Sequence, residues 1–300
     1  MSITTEPVTF TSSGETLVGT LHRPAAAGTR LPAVIVSGAW GTVKEQMPAG
    51  YARELAARGF VALAFDFRSW GRSGGRPRSM EDPFAKADDI VAAAEFLAGR
   101  ADVDARAING LGICASAAYL ARAATLTERI ASIALVAPAL PSRATVTAQV
   151  GGEDAATALR RAAQEAQADF ARSGSEQFVP AAQPPAPGAA ADYYSDPQRG
   201  AIAEWDNTFN LASWTSWLEF DAQAAARELR QPLLVVHSDA AVRPDSVREF
   251  VAAVAGPVEQ VWLDGVTQFD FYDGPGPMAA AADAVADHFA RLAAVPDSIG

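Results

Sequence analysis

The chain has 300 residues, 49% of them hydrophobic and 20% charged, with a formal net charge of −11. That length and apolar content bury a sizeable core and exclude disorder and fibrous repeats. One cysteine and three histidines leave neither an internal disulfide nor a ligand cluster for a structural zinc. The acidic balance speaks against nucleic acid and anionic membrane, which both need a positive surface.

No apolar run approaches the roughly 18 residues that span a bilayer. Met1–Phe10 is polar and lacks the basic and apolar regions of a secretory leader. A cytoplasmic protein with a small-molecule substrate is expected. Of the 24 basic residues only Lys44 and Lys86 are lysines, which reads as compositional drift.

Short β-branched runs alternate with helical patterns along the first part of the chain. Thr16–His22 and Leu31–Val36 read as strands, Glu45–Ala57 as a helix, Phe60–Asp66 as a strand and Pro83–Ala98 as a helix. Strand Ala105–Gly112, helix Ala115–Ala124 and strand Ile130–Ala137 follow. The rhythm returns with strand Pro232–His237, helix Pro244–Val254, strand Val258–Leu263 and a last helix from about Met278 to Leu292. Such alternation predicts an α/β fold with a mostly parallel sheet covered on both faces.

Residues 141–225 break the rhythm. They hold a helical stretch (Ala155–Ala171), a Pro/Ala-rich segment (Ala181–Ala191) and the aromatics Tyr193, Tyr194, Trp205, Phe209, Trp214, Trp217 and Phe220. An insertion of this kind is expected to form a helical cap over the strands' C-terminal ends, where open α/β sheets bind ligands. The core is then split into 1–140 and 226–300. The cap aromatics either glue cap to core or line a ligand pocket.

Gly112-Ile113-Cys114-Ala115-Ser116 follows a predicted strand and opens a predicted helix. A nucleophile elbow needs small residues two before and two after the nucleophile, because the strand-to-helix turn crowds them. Gly112 and Ser116 meet that need. A helix N-terminus also favours a thiolate, so Cys114 is a candidate nucleophile. A buried structural cysteine is the plainer alternative, but it leaves the flanking small residues unexplained.

With these motifs the chain resembles the α/β-hydrolase superfamily, and within it the dienelactone-hydrolase-like branch. Besides the elbow, the resemblance rests on Ser37-Gly38-Ala39-Trp40-Gly41-Thr42-Val43-Lys44-Glu45-Gln46 and on Phe65-Asp66-Phe67-Arg68-Ser69-Trp70-Gly71-Arg72-Ser73-Gly74-Gly75. It rests too on Trp205-Asp206-Asn207 with Trp214 and Trp217, and on Phe269-Asp270-Phe271-Tyr272-Asp273. It implies an eight-stranded sheet with an oxyanion hole made by Ala39 or Trp40 together with Ala115. Lys44 and Glu45 either line the pocket or form a surface pair at a helix end.

The same resemblance places the triad acid after strand Pro232–Val236. Asp239 is the candidate, although the more widespread spacing falls on Ala240; an Asx turn is the other reading of Asp239. The histidine that the related branch carries before Phe-Asp-Phe-Tyr-Asp is Gln268 here. Glutamine orients and hydrogen-bonds but does not take a proton at neutral pH. His22 and His288 lie elsewhere, and His237, at a strand end, is an outside candidate.

A cysteine nucleophile without a histidine base is better suited to accepting an acyl group than to hydrolysing the resulting thioester. The expected function is therefore acyl transfer, cyclisation or another non-hydrolytic rearrangement of a bulky apolar acyl or polyketide-like substrate. Cys114 would be the nucleophile, with Gln268, Asp239, Asp270 and Tyr272 as polar partners of the substrate and Trp205, Trp214 and Trp217 as its apolar walls. An esterase with a substitute base and a non-catalytic binding protein are the alternatives. No cofactor and no metal are implied; an acyl-carrier thioester is a conceivable delivery form, and a homodimer stays open.

Overall fold

The computed structural model describes residues 2–25, 30–183 and 192–293. Strand β1 (Ile3–Ser12) turns at Ser13-Gly14 into β2 (Glu15–Pro24). Both turn residues have positive φ, 48° and 85°, the conformation that two-residue hairpins require. The polar N-terminal stretch is thus an edge strand, which sequence reasoning passed over. Its outward Thr and Glu side chains hide an alternation that buries Val8, Phe10 and Ser12.

Then come β3 (Leu31–Ser37), α1 (Met47–Ala57), β4 (Val61–Phe65), α2 (Pro83–Ala98), β5 (Val103–Ile113), α3 (Ser116–Leu126) and β6 (Ser132–Val136). After β6 lie α4 (Arg143–Gln149), α5 (Glu153–Ser173), the short strands β7 (Phe178–Pro180) and β8 (Thr208–Asn210), and α6 (Trp214–Glu219). The chain closes with β9 (Leu233–His237), α7 (Pro244–Ala253), β10 (Val258–Trp262), the single turn α8 (Asp270–Asp273) and α9 (Pro275–Ala293). Most of the Pro/Ala-rich segment, residues 184–191, lies outside the described residues.

Eight strands form one sheet in the order β1-β2-β4-β3-β5-β6-β9-β10. The β1–β2 and β2–β4 pairs are antiparallel and all others parallel. The expected fold class is therefore present. The central strands are mostly apolar because each face is covered: Val34 and Val36 join one cluster with Tyr51, Leu55 and Phe289, while Ala33 and Ile35 join another with Ile90, Leu97 and Leu120. Helices α1 and α9 cover the first face, α2 and α3 the second. Helix α2 starts where predicted, because Asp82 accepts hydrogen bonds from Phe84 N and Ala85 N and Pro83 occupies the first turn. The parallel strands all point their C-terminal ends at one edge, and the chemistry gathers there.

Candidate active site

Cys114 sits between the end of β5 and the start of α3 with φ of 57°, a left-handed conformation that costs a non-glycine residue strain. The turn is pinned on both sides: Cys114 N donates to Val136 O at 3.1 Å, and Cys114 O accepts from Ala139 N at 3.0 Å and Ala117 N at 3.2 Å. A Cβ at position 112 would stand 2.7 Å from Ala117 Cα, which explains Gly112. At the other flank Ser116 does what glycine does not. Its buried hydroxyl donates to Ser37 O at 2.8 Å and accepts from Ile113 N at 2.9 Å, tying the elbow to the end of β3.

The sulfur has four polar neighbours: the Tyr272 hydroxyl, the Ala115 and Trp40 backbone N–H groups and the Gln268 side chain. Burial pushes the Cys114 thiol up, and these groups, which favour the thiolate, offset only part of that effect. The expectation that the helix N-terminus lowers the thiol pKa is corrected: desolvation outweighs it. Two amides from separate loops converge on this position, the arrangement that stabilises a developing oxyanion. Of the two residues weighed for the first loop, it is Trp40 whose N–H lies by the sulfur.

Gln268 is 9% exposed and its amide is fully engaged. Its Oε1 accepts from Val242 N at 3.0 Å, and its Nε2 donates to Ala137 O at 2.9 Å and to the Tyr272 hydroxyl at 3.2 Å. The Tyr272 hydroxyl thereby stands between Gln268 and Cys114, and Tyr194 of the segment between β6 and β9 lies against it. Burial holds both tyrosines well above their usual titration range, so both stay neutral hydrogen-bond donors. Tyr194 belongs to the site although the sequence pointed to it only as one aromatic among seven.

Several expected site residues lie elsewhere. Asp239 is exposed and pairs with Arg248 at 2.5 Å, since its loop turns the carboxylate outward to the nearest cation. Asp270 accepts from both the N–H (2.8 Å) and the hydroxyl (2.6 Å) of Thr267, a local cap of the α8 turn. Trp205 donates its indole N–H to Gly41 O at 2.6 Å and lines a different cleft, so it fastens the insertion to the loop after β3. His237 is fully buried beneath Trp262, outside the cavity. Lys44 is a buried cation rather than a surface one, bonded through Nζ to Asp66 at 2.7 Å and Glu45 at 2.6 Å.

Cys114 is half-buried and opens on a cavity of about 560 Å³. Trp40, Phe209, Trp214 and Trp217 form its aromatic wall, with Trp40 stacked on Phe209 at 5.0 Å and edge-on to Trp217 at 4.4 Å. Gln149, Gln183 and Arg243 are its polar lining. Among the described residues no three His, Cys, Asp or Glu side chains are grouped to share a metal ion.

Beneath the loop that follows β3 lies a buried network that sequence reasoning missed. Glu81, with no exposed surface, accepts from Gly41 N at 3.0 Å, from the Tyr119 hydroxyl at 2.7 Å and from Lys86 Nζ at 2.7 Å. Lys86 is caged by the rings of Phe67, Trp70 and Tyr119 at 4.8–5.5 Å. Gly41 is held at its N–H by Glu81 and at its carbonyl by Trp205, and this fixes the peptide following Trp40. The usable signal was the lysine count: in a chain that otherwise uses arginine, both lysines neutralise carboxylates beside this loop.

The alpha/beta hydrolase family model matches residues 33–290. An uncharacterized protein of Pseudomonas aeruginosa, PA2218, is 31% identical over 283 residues, covering 89% of this chain and 75% of the relative. Its crystal structure superposes with a TM-score of 0.86 over 97% of this chain and 94% of that one, at 26% identity. A polyketide transferase of Penicillium crustosum is 36% identical over 135 residues, 44% of either chain. A thiohydrolase of Eupenicillium brefeldianum is 35% identical over 128 residues, 43% of this chain and 41% of its own.

Proposed function

The chain belongs to the alpha/beta hydrolase family, and from that premise we propose that it is an enzyme of specialised metabolism that moves the acyl group of a thioester through Cys114 to an acceptor other than water. The carrying observation is the pairing of a cysteine at the elbow with Gln268, an amide that takes no proton at neutral pH and whose Oε1 accepts from Val242 N–H. The fungal relatives named polyketide transferase and thiohydrolase support an acyl-handling role and a polyketide-like substrate. The aromatic wall of the cavity fits a bulky apolar acyl chain.

In the first half-reaction the Cys114 sulfur attacks the thioester carbonyl, whose oxygen moves into the Trp40 and Ala115 N–H groups. The carbonyl collapses, the Cys114–acyl bond forms and the carbon–sulfur bond to the carrier breaks. The thiol proton leaves with the departing thiol, relayed by the Tyr272 hydroxyl, which donates to one sulfur as it accepts from the other. In the second, a hydroxyl or enol of the bound chain attacks the acyl carbon and its proton returns to Cys114. Neither half-reaction leaves a net proton for a histidine to hold. Water lacks the positioning of an intramolecular nucleophile, which reaches effective molarities of about 10⁵ M or more, so hydrolysis is slow.

Incubation with an aromatic or medium-chain acyl N-acetylcysteamine thioester followed by intact mass measurement tests this. A single acyl adduct that is lost in Cys114→Ala is expected. An unmodified protein that still forms product, or that binds the thioester without product, overturns covalent transfer.

A further inference from the structure

Arg243 is the single charged residue among those lining the cavity. It caps the start of α7 in the left-handed region, φ of 53°, a strained conformation for a residue other than glycine. Its Nη2 donates to Gln149 Oε1 at 2.7 Å, which spends one of five N–H donors, and no carboxylate pairs with it among the described residues. The neighbouring arginine of α7, Arg248, takes both Asp239 and Asp245. The acids of this loop are thus consumed one turn away, and the cation at the cavity is left with a neutral partner.

The loop is also wired to the nucleophile. Val242 N donates to Gln268 Oε1, Gln268 Nε2 to the Tyr272 hydroxyl, and Tyr272 faces the Cys114 sulfur. Resting on the acyl-transfer reading, we propose that Arg243, braced by Gln149, is the specificity-determining residue of the site and binds an anionic oxygen group on the substrate. The ligand is then an apolar acyl thioester with an anion remote from the thioester bond, either a carboxylate on the acyl side or a phosphate on the thiol side. The carboxylate would come from the acyl chain itself, the phosphate from the pantetheine arm of a carrier.

The test uses unreactive ligands, so that it does not depend on turnover. Quenching of tryptophan fluorescence, which reports on Trp40, Trp214 and Trp217, gives the affinity for decanoate against 1-decanol and for pantetheine 4′-phosphate against pantetheine. At least one anion should bind about tenfold or more tighter than its neutral counterpart, the effect of one charge-assisted pair. The pair that shows the preference identifies the source. Arg243→Ala should erase the preference while leaving the neutral ligand's affinity unchanged, and Arg243→Lys should keep part of it. Equal binding of anion and neutral ligand, a preference that survives Arg243→Ala, or no saturable quenching by any of the four would overturn the proposal. None of these outcomes bears on whether Cys114 is acylated, so failure here is separable from failure of the acyl-transfer reading.

Discussion

The Nε2 of Gln268 and the hydroxyl of Tyr272 are 3.2 Å apart, and that bond uses the tyrosine oxygen as acceptor and leaves its O–H to donate on the side of Cys114. A histidine at 268 would meet the same neighbours and add a titratable nitrogen. It would find no carboxylate to orient it, because position 240 is alanine and Asp239 is engaged by Arg248. Gln268→His is expected to speed hydrolysis of a preformed acyl–Cys114 adduct by roughly 10²-fold, the low end of general-base catalysis. Adding Ala240→Asp should raise it further. Decay of the adduct mass with time is the measurement, and an adduct equally long-lived in both variants would refute the role assigned to Gln268.

Glu81 acts on the reaction only through Gly41. Replacing it with glutamine weakens the hold on the Gly41 N–H and strands Lys86 among three aromatic rings. Breaking a buried pair from one side costs about 3–5 kcal/mol, so Glu81→Gln should unfold at markedly lower denaturant. Pairing it with Lys86→Met should recover most of the stability by removing the stranded charge. In the recovered double variant, acylation of Cys114 should remain at least about tenfold slow, since one displaced oxyanion donor costs roughly 10²-fold or more, while ligand affinity is unchanged. Normal acylation in that variant would reduce Glu81 to a purely structural role.

The raised thiol of Cys114 sets a pH dependence. The thiolate is the reactive form, so with a folded-state pKa above the ordinary value of about 8.5, alkylation by iodoacetamide should rise about tenfold per pH unit through neutrality and keep climbing past pH 9. Tyr272→Phe removes a group that favours the thiolate and should slow alkylation further at every pH in that range. A plateau below pH 8 would mean that the thiol is depressed, contrary to its surroundings.

The fold was largely legible because the parallel strands are buried on both faces and hold apolar runs, as in residues 31–36 and 233–236. The elbow was legible from Gly112 and Ser116, whose small size is a local steric demand. What escaped depends on contacts between distant segments. Asp239 looked like a triad acid, yet Arg248, nine residues on, claims it; Lys86 looked like drift until Glu81 and Tyr119 closed around it. Edge strand β1 was missed because only alternate residues are buried and the rest are polar.

Two buried histidines outside the site make the fold sensitive to acid. His22 and His237 are 5% and 0% exposed, and neither ring has a hydrogen-bond partner at either nitrogen. Burial lowers each to about 4, with Arg53 adding to the effect at His22. The unfolded chain, with imidazoles near 6.5, therefore binds protons that the folded chain refuses between pH 6.5 and 4. Stability is complete above pH 6.5 and falls as pH drops through that window, by up to about 3 kcal/mol per histidine at 1.36 kcal/mol per pKa unit. Replacing His237 with phenylalanine removes the proton acceptor while keeping a ring against Trp262. Urea unfolding at pH 7.5 and 4.5 should then show a pH-dependent loss smaller by about 2.5 kcal/mol than in the unaltered chain. An identical loss in both proteins would show that His237 is already protonated in the folded state at pH 4.5.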